Sequence, residues 1–472
     1  MLLQTDQVVI DEERIDTLLA ATRGCDPVHV RDVLAKARQL EGLHESDVAA
    51  LMNIDDPQLL DDLFETGRWI KDEIYGSRLV LFAPLYVSNY CANECSYCAF
   101  RCQNQDIHRR ALTQEEIARE VRALIDLGHK RLLVVAGESY PKGQGLDYIL
   151  EAVRTVYATK HGQGEIRRVN VNIAPLSVAD FKRLKAAEIG TYQIFQETYH
   201  RETYRRIHQL GKKMDYDWRI NAPDRAMEAG IDDVGIGPLF GLYDWKFEVL
   251  ALLQHVRHLE GRFGVGPHTI SMPRLEPATG SDVASNPPHR VSDADFRKLI
   301  AILRLTVPYT GMILSTRENA ETRRHAFDLG ISQISAGSRT NPGGYSELGD
   351  GDDACKERDG QFSLGDHRPL DEVVRDCAEM GYIPSFCTAC YRTGRTGADF
   401  MDLAKPGIIK YHCGPNALAS FYEYLLDYAS PETRAAGDKL IAQILTGMDA
   451  DTRDNAHKLL QMLKDNKRDV FI

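Results

Sequence analysis

Eight short apolar runs, each separated from the next by a stretch of helical periodicity, predict an α/β protein built as a closed (β/α)8 TIM barrel. Two further observations complete the fold class: helical spacing over the first 75 residues or so, and a cysteine-bearing C-terminal segment beyond the last run. The expected organisation is a helical N-terminal extension over 1–76, the barrel over 77–340, a loop and connecting helix over 341–385, and a C-terminal metal-cluster domain over 386–472.

The extension is read from apolar residues at helical intervals between Asp11 and Tyr75: Ile15, Leu18 and Leu19, then Val48, Leu51 and Met52, then Leu59, Leu60 and Leu63. The eight runs follow as LVLFAPLYVSNY, RLLVVAGE, RRVNVNIA, TYQIFQET, DDVGIGPLF, HTISMPRL, MILSTR and ISQISAGS. Near-continuous apolar strands alternating with helices imply a parallel sheet covered on both faces, with a doubly wound open sheet as the alternative to closure. Thr113 followed by Glu116 reads as a capping box opening the first crossover helix. Residues 341–366, rich in Gly and Asp, read as a long surface loop, and three helices close the chain near 418–429, 432–446 and 453–466.

A formal net charge of −12 and the lack of a Lys/Arg run argue against nucleic acid as a ligand. The longest uncharged stretch, Leu79 to Asn93, has fifteen residues, short of the roughly 20 apolar residues of a membrane span. The N-terminus carries no basic segment followed by an apolar stretch and a cleavage site, so a cytoplasmic protein is expected. Of ten cysteines, six fall in two tight sets, which in a reducing compartment point to metal or catalysis; Cys25, Cys102, Cys355 and Cys377 read as incidental thiols.

The first set, CANECSYC, places Cys91, Cys95 and Cys98 just after the first strand, at the end of the barrel where active sites of this fold are built. Three thiolates hold three irons of a [4Fe–4S] cube and leave the fourth open to an external ligand. A closed zinc site would need a fourth ligand, for which Cys102 is the nearby choice. The spacing, with the aromatic Tyr97 before the last cysteine, resembles the signature of the radical S-adenosyl-L-methionine (SAM) superfamily. That resemblance implies a SAM-binding [4Fe–4S] cluster and reductive cleavage of SAM to methionine and a 5′-deoxyadenosyl radical. It also implies that Ala136, Gly137 and Glu138 after the second strand meet the methionine amino group, and that Glu197 and Arg219 take part in SAM binding, Arg219 against the carboxylate. A strand-end turn and surface ion pairs are the plainer readings of those residues.

The second set, Cys387, Cys390 and Cys413, again supplies three ligands. In a C-terminal extension of such a barrel this spacing resembles the HydG family of [FeFe]-hydrogenase maturases. The family implies an auxiliary [4Fe–4S] or [5Fe–5S]-type cluster whose labile iron is bridged by a free, non-protein cysteine. His268, opening the sixth strand, matches a family position in contact with that labile iron; a satisfied core histidine is the alternative. For zinc, His412 beside Cys413 would be the fourth ligand, though adjacent residues rarely reach one tetrahedral ion.

The resemblance implies a carbon–carbon lyase acting on L-tyrosine, giving p-cresol and dehydroglycine, then carbon monoxide and cyanide in an Fe(CO)2(CN) unit for the hydrogenase. It implies other hydrogenase maturation proteins as product acceptors and an electron donor such as ferredoxin or flavodoxin. Arg317, with Ser315 nearby, is the expected partner of the tyrosine carboxylate; an ion pair with Glu318 or Glu321 is the alternative. The related tyrosine lyase of thiamine synthesis, a 2-iminoacetate synthase, shares the barrel without a second cluster. A non-catalytic iron–sulfur or zinc scaffold is a reading of a different class.

Overall fold

The computed structural model describes residues 9–22, 24, 26–141, 143–346 and 359–472. Cys25, Cys355 and much of the 341–366 loop lie outside the described residues.

Eight parallel strands form the barrel: β1 (Arg78–Ser88), β2 (Arg131–Ala136), β3 (Arg168–Asn172), β4 (Tyr192–Gln193), β5 (Val234–Ile236), β6 (Thr269–Ser271), β7 (Gly311–Leu314) and β8 (Gln333–Ser335). Each pairs with the next, and β8 returns to β1 in the register Val80↔Gln333, Leu81↔Ile334 and Phe82↔Ser335, which closes the sheet. Period-2 alternation sorts β1 cleanly. Leu79, Leu81, Ala83, Leu85 and Val87 join the main apolar core, while Phe82, Pro84 and Tyr86 face the barrel lumen. The capping box of the first crossover helix forms, with Thr113 Oγ accepting from Glu116 N at 3.2 Å and Glu116 accepting from Thr113 N at 2.8 Å.

The N-terminal extension is four helices: α1 (Glu12–Ala21), α2 (Pro27–Ala37), α3 (Glu45–Leu51) and α4 (Pro57–Tyr75). Asp26 and Asp56 cap α2 and α4 ahead of prolines in their first turns, where the missing N–H is not needed. α4 lies against the helix Asp293–Thr306, and α1 against Trp245–Phe263, so the extension wraps the outside of the barrel.

Three expectations need correction. The segment 341–385 is more than a loop and a helix: Ile383–Ser385 is a ninth strand (β9), parallel to the first residues of β1 in the register Arg78↔Ile383 to Val80↔Ser385. β2 pairs with β1 only from Ala83 onward, so β9 takes up the hydrogen-bonding edge of β1 that projects below the barrel. The described end of the long loop is likewise not a surface feature. Gln361 and Ser363 donate backbone N–H groups to Thr340 and Pro277, and Asp366 is buried against Arg323 and Arg368, so this strip lies across the C-terminal mouth. The helix expected from about 418 begins at Ile409, carries Cys413 in its second turn and tolerates Pro415 inside it. Arg167, paired with Glu423 and Asp469, holds this C-terminal segment to the base of the barrel.

Candidate functional site

The barrel carries a site at each mouth. At the C-terminal mouth, a cavity of about 190 Å³ is lined by Cys91, Cys95 and Cys98 together with Tyr97, Ala136, Gly137, Glu138, Glu197, Arg219, Ser315 and Arg317. The cysteine loop leaves β1 and is held from outside. Glu94 and Cys95 pair in antiparallel fashion with Leu210 and His208, Ser96 N donates to Ile207 O at 3.0 Å, and the Tyr97 hydroxyl meets His208 Nε2 at 2.9 Å. Backbone N–H groups of Asn93 and Phe100 point at the Cys91 and Cys98 sulfurs, 3.5 and 3.4 Å away. Burial pushes all three thiols up, Cys98 to about 11, and their mutual proximity adds to the rise in Cys95 and Cys98. A bound cation reverses that balance, since it draws the proton off a coordinating thiol.

The donor set fits a multi-iron cluster better than a single ion. Tetrahedral zinc, at about 2.3 Å from each sulfur, would bring the sulfurs to roughly 3.8 Å of one another. Among the described residues no group of three or more Cys, His, Asp or Glu side chains is drawn together for one metal ion. Cys102 is no fourth ligand, because its thiol donates to Glu94 Oε2 at 3.4 Å.

Beside the thiols lies a buried charge network. Arg219 binds Glu138 Oε1 at 2.8 Å and the Phe195 carbonyl at 2.7 Å, and its other nitrogen lies 3.5 Å from Glu197. Lys213 binds Glu197 at 2.6 Å, and Asn93 donates to Glu138 Oε2 at 2.8 Å. Burial alone would raise Glu138, but Arg219 and Lys213 outweigh it and hold the carboxyl below its ordinary value. Glu197 sits at φ 71°, a left-handed conformation uncommon outside glycine, fixed by a bridge to Pro238 and by Leu239 N donating to its carbonyl. Gly137 is required for space: a Cβ there would stand 2.2 Å from the Tyr90 carbonyl oxygen.

Across the cavity Arg317 lies over the Phe362 ring, 3.2 Å from its centroid. Glu318 is taken by Arg274 at 2.9 Å instead, so the ion pair that would have tied Arg317 down does not form. Gln361 reaches in from the same strip, accepting from the Tyr86 hydroxyl at 2.8 Å and donating to Cys98 Sγ at 3.7 Å. Lys213, Asn93, Gln361 and Phe362 are among the lining residues that sequence reasoning missed.

The second site is at the opposite, N-terminal mouth. Cys387, Cys390, Cys413 and His268 line one small cavity of about 40 Å³ with Arg78, Arg131 and Asp233. β9 delivers Cys387 two residues past its end, where Arg131 donates to the Cys387 carbonyl at 2.9 Å. The close pairing of Cys390 and Cys413 holds Cys413 below the usual thiol range and drives Cys390 above it. His268 is lowered by its burial, against the pull of Asp233, whose carboxylate lies 3.4 Å from Nδ1. Burial thus favours the neutral imidazole, the form able to bind a metal, beside the Asp233 carboxylate. His412 lines the same cavity. One signal for this site was legible: Arg78, Arg131, Asp233 and His268 put charged or polar groups at the head of otherwise apolar strands.

The two cavities are one rung apart. Val80 and Phe82, Arg131 and Leu133, Gly311 and Ile313, and Gln333 and Ser335 are pairs two residues apart on the same strand, the first lining the lower cavity and the second the upper. Two residues of strand span about 7 Å.

The model of the radical SAM superfamily matches residues 85–253, and that of the biotin and thiamin synthesis associated domain matches 271–383. With the 2-iminoacetate synthase of Escherichia coli (strain K12) the chain shares 33% identity over 353 residues, 74% of this chain and 88% of that protein. The chain is thus a radical SAM protein. A crystal structure of HydG, a maturase of the [FeFe]-hydrogenase, aligns with a TM-score of 0.93 and 48% identity over 98% of this chain and 100% of that one. The maturase HydG from Carboxydothermus hydrogenoformans aligns at 0.83 and 40% over 97% and 100%. Within the superfamily the chain belongs to the HydG family of [FeFe]-hydrogenase maturases. No helix among the described residues is long and apolar enough to cross a membrane.

Proposed function

We propose that this protein cleaves the Cα–Cβ bond of L-tyrosine to p-cresol and dehydroglycine at the upper site. Dehydroglycine is then turned into carbon monoxide and cyanide at the lower one, as an Fe(CO)2(CN) unit for the hydrogenase. The observation that carries this reading is the pair of three-thiol sites at opposite mouths of one barrel, whose cavities approach within one rung of each other along four strands. A radical made at the first site is shielded by the packed lumen, and a small product has a short route to the second.

Cys91, Cys95 and Cys98 hold a [4Fe–4S] cluster that, with SAM bound, supplies a 5′-deoxyadenosyl radical on reduction. Around it, Glu138 and the strand-end amides of Ala136 and Gly137 bind the methionine amino group, while Arg219 and Glu197 fix the remaining polar groups of SAM. Lys213 neutralises Glu197 and, lying near Cys95, favours its thiolate. Arg317 binds the tyrosine carboxylate with Ser315; its stacking on Phe362 fixes the guanidinium plane without consuming its donors. Cys387, Cys390, Cys413 and the neutral His268 hold the auxiliary cluster and its labile iron, with free cysteine as the bridge. Ferredoxin or flavodoxin supplies electrons, and other maturation proteins accept the product.

The 2-iminoacetate synthase reading, tyrosine cleavage alone, leaves the lower thiol set without a role. Anaerobic turnover of reconstituted protein with SAM, dithionite and ring-labelled tyrosine tests the proposal: labelled p-cresol in step with 5′-deoxyadenosine is expected. Deoxyadenosine without p-cresol would show the substrate to be wrong.

A further inference from the structure

Cleaving the sulfonium of SAM consumes one electron, which has to enter from outside the barrel at the cysteine loop; this inference rests on the proposed function in that respect. We propose that the segment Arg201–Met214, a helix (Arg201–Ile207) followed by a short strand (His208–Leu210) and a helical turn (Lys212–Met214), is with Tyr90 the docking surface for a small acidic one-electron carrier protein. Of the eight large apolar side chains exposed in the described chain, Tyr90, Leu210, Met214 and Trp218 all lie within a few residues of the cysteine loop or of this segment. Apolar exposure gathered along one stretch of chain marks an interaction site more than exposure scattered singly. The segment is also the wrong charge for this protein. It carries Arg201, Arg205, Arg206, Lys212 and Lys213 against Glu202 alone, in a chain whose net charge is −12.

Two of these cations are already used: Arg201 pairs with Asp217 at 2.9 Å, and Lys213 with Glu197 inside the cavity. Arg205, Arg206 and Lys212 are exposed and form no ion pair with any described residue. They stand within a few residues of the exposed Leu210 and Met214 in the chain, and positive charge beside apolar exposure selects an acidic partner and steers its approach. The exposed carboxylates Glu202 and Asp215, the latter capping the Trp218 amide at 2.8 Å, leave these three cations in excess.

The strand of this segment is bonded directly to the cysteine loop. Leu210 pairs with Glu94 and His208 with Cys95, so one strand spacing of about 4.8 Å separates the docking surface from the backbone of a cluster ligand. Gly211, at φ 89°, lies so close that a Cβ would stand 2.6 Å from the Ala92 carbonyl oxygen. A carrier seated here gives up one electron and is oxidised, and the cluster between Cys91, Cys95 and Cys98 is reduced by that electron. No proton need move.

The test is the triple variant Arg205→Glu/Arg206→Glu/Lys212→Glu, none of whose positions lines either cavity. Deoxyadenosine formation is measured with flavodoxin hydroquinone and, separately, with dithionite; binding of oxidised flavodoxin is measured by calorimetry at low salt. The expected result is a loss of at least tenfold in the flavodoxin-driven rate and in flavodoxin affinity, with the dithionite rate within twofold of native. Met214→Ser should weaken flavodoxin binding without flattening its salt dependence. Flavodoxin binding and rate unchanged in the triple variant would overturn the assignment, and so would equal losses with both reductants. Native protein that forms no deoxyadenosine with dithionite would instead sink the proposed function, while the calorimetry still judges the surface.

Discussion

Replacing Gly137 with alanine places a methyl 2.2 Å from the Tyr90 carbonyl oxygen and 2.9 Å from its carbon. Contact distances between such atoms are about 3.3 Å or more, so the ends of β1 and β2 must part by roughly 1 Å. They cannot part freely, because Gly137 N donates to Ser88 O at 2.9 Å. Overpacking of this kind costs about 1–3 kcal/mol. The larger effect is positional: Cys91 follows Tyr90 and Glu138 follows Gly137, so the shift moves the proposed cluster ligand against the proposed SAM-binding carboxylate. A displacement of that size costs on the order of 100-fold in rate. The assay is dithionite-driven formation of 5′-deoxyadenosine by reconstituted protein, normalised to iron content. Gly261→Ala is the control: that glycine lies inside the helix Trp245–Phe263 with nothing within 4 Å of an added Cβ, so the change should stabilise by about 0.5–1 kcal/mol and leave the rate alone. A Gly137→Ala protein that cleaves SAM within twofold of native would refute the close-approach argument.

Burial lowers His129 to about 3 and His255 to about 4, so both are neutral in the fold and protonate on unfolding below about pH 6.5. The unfolded chain then binds more protons, stability falls as pH falls through that window, and at pH 5 each histidine costs about 2 kcal/mol; denaturant midpoints at pH 7.5 and 5 check this, and His129→Gln should shrink the difference. Arg219→Gln strips Glu138 and Glu197 of their shared cation, which for a buried pair costs about 3–5 kcal/mol, and SAM affinity by calorimetry should fall at least tenfold; unchanged affinity would remove Arg219 from the site. Cys102→Ser should leave the iron and sulfide content of the upper cluster intact, since its thiol faces Glu94, and loss of iron would show it to be a ligand. Arg317→Ala should raise KM for tyrosine more than tenfold while tyrosine-independent SAM cleavage continues; equal loss of both activities would point to a structural role.

The barrel was legible because its strands are buried on both faces and so read as unbroken apolar runs, and the thiol sets because few other arrangements explain cysteines so closely spaced. What escaped depends on contacts distant in sequence. Lys213 looks like one more cation in a basic stretch, yet its ammonium pairs with Glu197 in the cavity. Phe362 and Gln361 follow a Gly- and Asp-rich tract that reads as solvent-facing, and only the fold lays them across the mouth. β9 is three residues including Pro384, too short for any periodicity, and its place is set by the edge β1 leaves open. The start of the Cys413 helix was misplaced by Pro415, which normally ends a helix.

If one chain runs two reactions at two mouths, both products can be followed in one pair of proteins. Native protein and a Cys387→Ala/Cys390→Ala variant, reconstituted anaerobically and given SAM, dithionite, tyrosine, iron and free cysteine, are assayed together for p-cresol and carbon monoxide. Native protein should give both products, and the variant an undiminished yield of p-cresol with no carbon monoxide. Carbon monoxide from the variant at the native level, or p-cresol without carbon monoxide from the native protein, would contradict the two-site reading.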